Sequence, residues 1–271
     1  MPVTRSARGE ATPPRARFTR KMRRLARQGE QVMCGKCANG GIGRRDLFKF
    51  GAAGVVALGI GPTGKAVAAE GAPTPLSPDQ ALAALRSGNE RYVSQPELCS
   101  IDLSKQRDAV AAHQAPFATI ISCSDSRVPP ELIFGGLGLG ELFVARNAGN
   151  LVDTATLGTV EYGAAVLGSP VIVVLAHTSC GAVKAACDVV TKNATYPGAI
   201  GPMIDPILPA ALAVRNEPGE FVNNAAGESA RRTAARLTGA SALLAGLAGS
   251  GKLKIAAAIY DLQTGVVSYL D

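Results

Sequence analysis

FATIISCSDSRVPPE (117–131) runs from a β-branched, apolar stretch straight into Cys123, Asp125 and Arg127, spaced two apart. A second stretch, PVIVVLAHTSCG (170–181), repeats the design: an unbroken apolar run ends in His177 and Cys180. Short apolar runs of this kind, bounded by polar and turn residues, read as fully buried strands. Each has reactive side chains at its carboxyl end.

Working outward, the pattern alternates. Residues 76–94 read as a helix, with Ser77 as its N-cap, Pro78 at its first position, and Leu82, Leu85, Asn89 and Tyr92 at helical spacing. A second helix is expected over about 104–113. ELFVARN (141–147) reads as a strand, TATLGTVEYGAAVLG (154–168) as a helix stopped by Gly168-Ser169-Pro170, and SCGAVKAACDVV (179–190) as another helix. Helical tracts follow over about 203–215 and 219–248. KLKIAAAIYDLQTGVVSYL (252–270) reads as strand, turn, strand. Apolar strands alternating with helices imply an α/β fold with a mostly parallel sheet flanked by helices. Ligands of such sheets bind beyond the carboxyl ends of the strands. The two opening stretches therefore belong to one site.

Composition narrows the function classes. The chain has 271 residues with 47% apolar content, enough for one sizeable domain plus extra segments. The net charge of +7 is unevenly placed: residues 1–70 carry 14 Lys/Arg against 4 Asp/Glu, and the remainder 14 against 17. The body is mildly acidic, aromatics are only 4%, and Trp is absent, so neither a basic face nor a base-stacking surface is on offer for nucleic acid.

The basic segment reads as an address. GRRDLFKFGAAGVVALGIG (43–61) pairs Arg44 and Arg45 ahead of a mildly apolar run, and Ala66 and Ala68 form an A-x-A pattern. This resembles a twin-arginine export signal. Gly43 and Leu47 stand where Ser or Thr and Phe are usual, and Phe48 comes one place late. The competing reading is a basic membrane anchor, although the run is short for a bilayer span. Residues 1–68 are thus expected to be an Arg-rich, disordered extension followed by a signal, and 69–271 a single folded domain. The twin-arginine translocase is then a transient partner, and the mature protein is expected in the periplasm or cell envelope. Translation is expected to begin at Met33 or Met22, and a start at Met33 would give a signal of ordinary length. Cys34 and Cys37 form a C-x-x-C with no second pair nearby and remain unassigned.

Cys123, His177 and Cys180 make a Cys2His set with room for one open position, a known arrangement for catalytic zinc. No convincing fourth ligand exists: Cys99 and Cys187 are the other body cysteines, and His113 the other histidine. Cys99 reads as a loop thiol and Cys187 as core. Cys180 is expected near a helix N-terminus, which favours thiolate. Two thiolates leave a neutral zinc site, which acidifies water less than three histidines would, so further help is needed. Asp125 and Arg127 supply it: Arg127 pairs with Asp125, and Asp125 accepts a hydrogen bond from the nucleophile. An extended strand end would project Cys123, Asp125 and Arg127 to one side.

C-S-D-S-R followed by H-T-S-C-G, with R-N-A-G-N (146–150), Glu161-Tyr162 and the apolar run before His177, resembles the β-class carbonic anhydrases over most of residues 77–271. The resemblance implies a four-stranded parallel core with a C-terminal edge strand and an N-terminal helical arm that wraps a partner subunit. It implies zinc, one per subunit, on Cys123, His177 and Cys180, with Asp125 and Arg127 as the catalytic dyad. The substrate pocket maps to Gln114, Phe143, Ala148, Tyr162 and Gly181. It lies at a dimer interface, where Gln114 and Phe143 serve the neighbouring site. The implied activity is reversible hydration of carbon dioxide to bicarbonate and a proton by zinc-bound hydroxide, in a homodimer or homotetramer. His113 is a candidate proton relay. Alternative readings are hydrolysis of carbonyl sulfide or carbon disulfide on the same scaffold, or a non-catalytic zinc-binding protein of the envelope. The sequence departs from the family at Ile120, where some members carry the Trp of a regulatory bicarbonate pocket, and at Ala182, where a second Gly is common.

Overall fold

A computed structural model describes residues 72–96 and 106–271. The paired arginines, the candidate start sites, the A-x-A pattern, Cys34, Cys37 and Cys99 lie outside the described residues.

Helix α1 (Pro78–Ser94) begins where its sequence says: Ser77 accepts from Gln80 N, and Gln80 returns a bond to the Ser77 N–H, a capping box with Pro at the first turn. A short α2 (Gln106–Val110) leads into β1 (Ala118–Cys123). The one-turn α3 (Pro130–Ile133), not expected from the sequence, precedes β2 (Leu142–Asn147). Helix α4 (Thr154–Glu161) passes into a π-turn, Tyr162–Val166, before β3 (Val171–His177). Then come α5 (Gly181–Lys192), α6 (Ile200–Ile204), a 3-10 turn (Asp205–Ile207), α7 (Leu208–Ala213), α8 (Phe221–Ala240) and α9 (Ala242–Gly249). Strands β4 (Lys254–Tyr260) and β5 (Val267–Leu270) close the chain.

The sheet has five strands in the order β2-β1-β3-β4-β5. The first four are parallel, and β5 runs antiparallel to β4. This is the architecture expected from the alternation of strands and helices. All seven residues of β3 are buried, because helices cover both faces. Val171, Val173 and Leu175 pack with Ala81 and Leu85 of α1, Ile133 and Phe134. Ile172, Val174 and Ala176 face the other way, toward residues of α5, α7 and α8. Burying one such aliphatic side chain is worth about 1.5–3 kcal/mol. Leu85 is fully buried, and its truncation to Ala would cost about 2–5 kcal/mol.

Local details differ from the periodicity. The tract over 219–248 is two helices, because Ser241 leaves helical geometry and caps α9 by accepting from Leu244 N. The tract over 154–168 loosens into the π-turn at Tyr162, where Gly163 lies so close to β1 and β2 that a Cβ would sit 2.6 Å from Thr119 Oγ1. Helix α1 is held against the end of α3 by a similar close approach: a Cβ on Gly88 would lie 2.0 Å from the Phe134 carbonyl oxygen. Asn89, buried, fixes its height by donating to the Ile133 and Gly265 carbonyls and accepting from Val267 N.

Candidate metal centre

Cys123 ends β1 and His177 ends β3, adjacent strands of a parallel sheet, so both reach the same rim. Cys180 is the N-cap of α5, one tight turn after His177. The two sulfurs and an imidazole nitrogen lie within 4.8 Å of one another, and all three residues are buried. No other group of three or more His, Cys, Asp or Glu among the described residues is so arranged.

The donor chemistry fits a soft, tetrahedral cation. The ring nitrogen Nδ1 of His177 lies 2.9 Å from the Thr178 carbonyl oxygen, so it carries the proton and donates. This leaves Nε2 as the free acceptor, and it is a buried atom with no hydrogen-bond partner. A buried, unpartnered imidazole nitrogen beside two thiols costs free energy unless something binds it. The thiols lie 4.0 Å apart, Sγ to Sγ. The Cys180 thiol, donating to Cys123, draws the Cys123 thiol well below its usual range against the opposing effect of burial, with the Gly149 N–H helping. The same sharing pushes Cys180 up. The pair thus favours ionisation at Cys123 first, and a divalent cation binding both sulfurs displaces the remaining thiol proton.

The loop after β2 is shaped to serve Cys123. Asn147 closes it, accepting from Leu151 N and donating to the Leu151 carbonyl, both at 2.7 Å. Gly149, at φ +86°, then turns its N–H onto Cys123 Sγ at 3.4 Å. A side chain there would be strained by the positive φ and crowded by Ile207 at 3.0 Å. On the other ligand strand, Thr178 N donates to the Tyr260 carbonyl and Thr178 Oγ1 accepts from Leu262 N.

Asp125 and Arg127 meet, though not by extended geometry. The backbone turns after Cys123, with Val128 N bonded to the Asp125 carbonyl at 3.0 Å. Arg127 donates from its backbone N and Nε to Asp125 Oδ1 (3.0 and 2.9 Å) and from Nη2 to Oδ2 (2.7 Å). The turn lets one residue grip the carboxylate through both backbone and guanidinium. These bonds hold the Asp125 carboxyl well below the usual carboxylate range. Its Oδ2 lies 3.8 Å from His177 Nε2. The sequence reading missed Arg146, whose Nε donates to the Cys123 carbonyl (3.0 Å) and Nη2 to the Asp125 carbonyl (2.7 Å), pinning the turn from β2. Its place at the end of the ELFVARN strand was the available signal.

The five expected pocket residues do not gather in one place. Ala148 follows β2 and Gly181 opens α5, both at the rim of the metal group, and Gly181 has open space where a Cβ would be. Phe143 pairs in register with Thr119, four residues before Cys123, roughly 13 Å away along the strand. Its ring lies 6.0 Å from that of Tyr162, which is 46% exposed. Gln114, before β1, shares with Tyr162, His113 and Leu167 the lining of an open cavity of about 560 Å³. Tyr162 thus stands with Gln114 and Phe143 at the amino ends of the strands, away from its own chain's metal group. Cys187 is buried core, as its spacing suggested, and burial pushes its thiol up to about 11.

Residues 118–267 match the family model described as carbonic anhydrase. Carbonic anhydrase 2 of Mycobacterium tuberculosis is 37% identical over 190 residues, 70% of this chain and 91% of the relative. The carbonic anhydrase of Mycolicibacterium smegmatis is 34% identical over 191 residues, 70% and 92% of the two chains. Among solved structures, the β-carbonic anhydrase CafA of Aspergillus fumigatus is similar with a TM-score of 0.56 and 25% identity, over 71% of this chain and 90% of that one.

Proposed function

The chain belongs to the β-class carbonic anhydrases, and from that premise we propose how its residues divide the work of hydrating carbon dioxide to bicarbonate and a proton. The observation that carries the assignment is the unpartnered His177 Nε2, buried within 4.8 Å of two cysteine sulfurs and beside the Arg127-bound Asp125.

Cys123, His177 and Cys180 hold the family's Zn2+, two thiolates balancing its charge and the neutral ring completing the set. When bound, zinc lowers the pKa of a coordinated water from 15.7 to about 7 in favourable sites and so supplies a nucleophile near neutral pH. Asp125 does the orienting. Its carboxylate, held ionised by Arg127, accepts a hydrogen bond from the attacking oxygen and turns that oxygen's lone pair toward the carbon of carbon dioxide. Arg127 keeps the carboxylate in one place, so that orientation is settled before substrate arrives. The Gly149 N–H and Arg146 hold the Cys123 segment still meanwhile. Bicarbonate then departs, and the released proton passes to buffer.

Gln114, Phe143 and Tyr162 serve the site of a second copy. Three features support this: their position at the opposite end of the strands, the exposure of Tyr162, and the place of Phe143 on β2, an edge strand of the sheet. A homodimer, alone or doubled into a tetramer, is the smallest assembly in which every pocket is complete. The relatives named above are carbonic anhydrases, which leaves the carbonyl sulfide, carbon disulfide and non-catalytic readings without support. For residues 1–68 the proposal stays with twin-arginine export to the periplasm or envelope, on the strength of Arg44-Arg45, the apolar run and the A-x-A pattern.

Stopped-flow hydration of carbon dioxide by the zinc-loaded protein tests the reading. Turnover that rises between about pH 6.5 and 9, spanning the near-neutral pKa of the activated water, is the expected result. Absence of turnover with one zinc bound per chain would overturn it.

A further inference from the structure

The turn between His177 and Cys180 contains a residue in a conformation its side chain disfavours. Ser179 sits at φ +55°, in the left-handed region. Among the described residues, two other non-glycine residues do the same, and both are asparagines, Asn150 and Asn193. Asparagine tolerates that region through its short polar side chain, and serine does so less readily. Something outside the turn must therefore hold Ser179 there. That contact is Asn223, in the first turn of α8, whose Oδ1 accepts the Ser179 N–H at 2.9 Å. The neighbouring anchors do not do this. Thr178 is tied to Tyr260 and Leu262, and those bonds fix the His177 side of the turn. Cys180, the next residue, has no side-chain cap and depends on the backbone direction that Ser179 gives it.

We infer that Asn223 is a positioning residue for the metal centre: by accepting the Ser179 N–H, it locks the left-handed turn that presents the Cys180 sulfur to Cys123 and His177. This rests on the reading of those three residues as zinc ligands. Asn223 lies 44 positions from Ser179, on a helix that contributes no ligand. Without the bond the turn would relax toward right-handed geometry, and the sulfur would lose its fixed place. Partners that orient metal ligands are commonly worth 10–100-fold in affinity.

The experiment measures zinc affinity by chelator competition, and the absorption bands of the cobalt-substituted protein, in wild type, Asn223→Ala, Asn223→Asp and Asn223→Ala with Ser179→Gly. Asn223→Ala is expected to weaken zinc about tenfold and to alter the cobalt–thiolate bands. Aspartate, which still accepts the bond, retains most of the affinity. The decisive arm is the double variant. Glycine enters the left-handed region freely, so Ser179→Gly should restore zinc affinity to Asn223→Ala, which a general loss of stability would not allow. Unchanged affinity and bands in Asn223→Ala, or failure of glycine to rescue a folded Asn223→Ala, overturns the inference. Should Asn223→Ala not fold, Ser179→Gly and Ser179→Val in the native background decide: full zinc affinity with glycine and a loss with valine support it, and equal affinity overturns it. A wild-type protein that binds no zinc would instead overturn the assignment of the ligands.

Discussion

The two ends of the parallel sheet are built on opposite plans. At the carboxyl end, Cys123, His177 and Cys180 are buried, Asp125 is gripped by Arg127, the surrounding backbone is bonded to Arg146 and Asn147, and the Gly149 N–H reaches Cys123 Sγ. At the amino end, Gln114 and Tyr162 face an open cavity, whose described lining carries one imidazole, His113, and no cysteine or carboxylate. On the proposed reading, the contrast teaches that one chain makes the whole reactive centre but only part of the pocket around it. Chemistry that tolerates little displacement is then kept within one subunit, on rigid strand ends. Residues proposed to confine the substrate sit where a second copy would bring them into use.

This division can be broken experimentally. The largest effect belongs to the ligands. Cys180→Ser should lose zinc and all measurable hydration, a greater fall than the 10–100-fold typical of groups that only orient ligands. Metal analysis together with stopped-flow rates checks this, and a variant that keeps its zinc would remove Cys180 from the set.

Next comes Asp125→Asn. Zinc content should stay at one per chain while kcat falls about 10²–10⁴-fold, the usual worth of a positioned acid–base group. Near-normal kcat would make the Asp125–Arg127 pair purely structural.

Smaller, but most pointed about the two ends, is Gln114→Ala. Loss of one hydrogen bond predicts a fall in kcat/KM of up to about tenfold. Mixing this variant with Asp125→Asn under conditions that exchange subunits should regenerate activity. If Gln114 serves the partner's site, each mixed dimer holds one pocket with both defects and one with neither. If it serves its own site, mixing restores nothing, and the split of the pocket between copies is wrong.

The smallest expected effect is on acid stability. Asp125 has its folded pKa depressed, chiefly by the Arg127 side chain. Its pairing therefore stabilises the fold above the unfolded carboxyl pKa of about 3.9, and that contribution is lost as pH falls through the lower folded value. The Tm difference between wild type and Asp125→Asn should be positive near neutrality and shrink below about pH 4. A difference that is constant down to pH 2 would show that the carboxylate is not held by its pair. In the neutral range Asp125 stays ionised, so the pH dependence of hydration there must come from another group.

The sequence by itself determined the strands, the reactive residues at their ends and the chemistry of the donor set. Those features are local: β-branched runs announce β1 and β3, a capping box announces α1, and Cys, His and Asp carry their chemistry wherever they stand. Ser241 and the π-turn at Tyr162 escaped it, because each is imposed by a neighbour distant in the chain: Glu161 takes the Ser241 hydroxyl, and Thr119 and Phe143 crowd Gly163. The turn at Asp125 escaped it as well, since pattern alone cannot distinguish an extended strand end from one folded back on its own carboxylate. Only the tertiary structure decided that Arg146 and Asn223 brace the ligand segments, and that Tyr162 stands with Gln114 rather than with Cys123. Those outcomes depend on strand register and helix placement, which arise from contacts summed over the whole core. No short stretch of sequence encodes them.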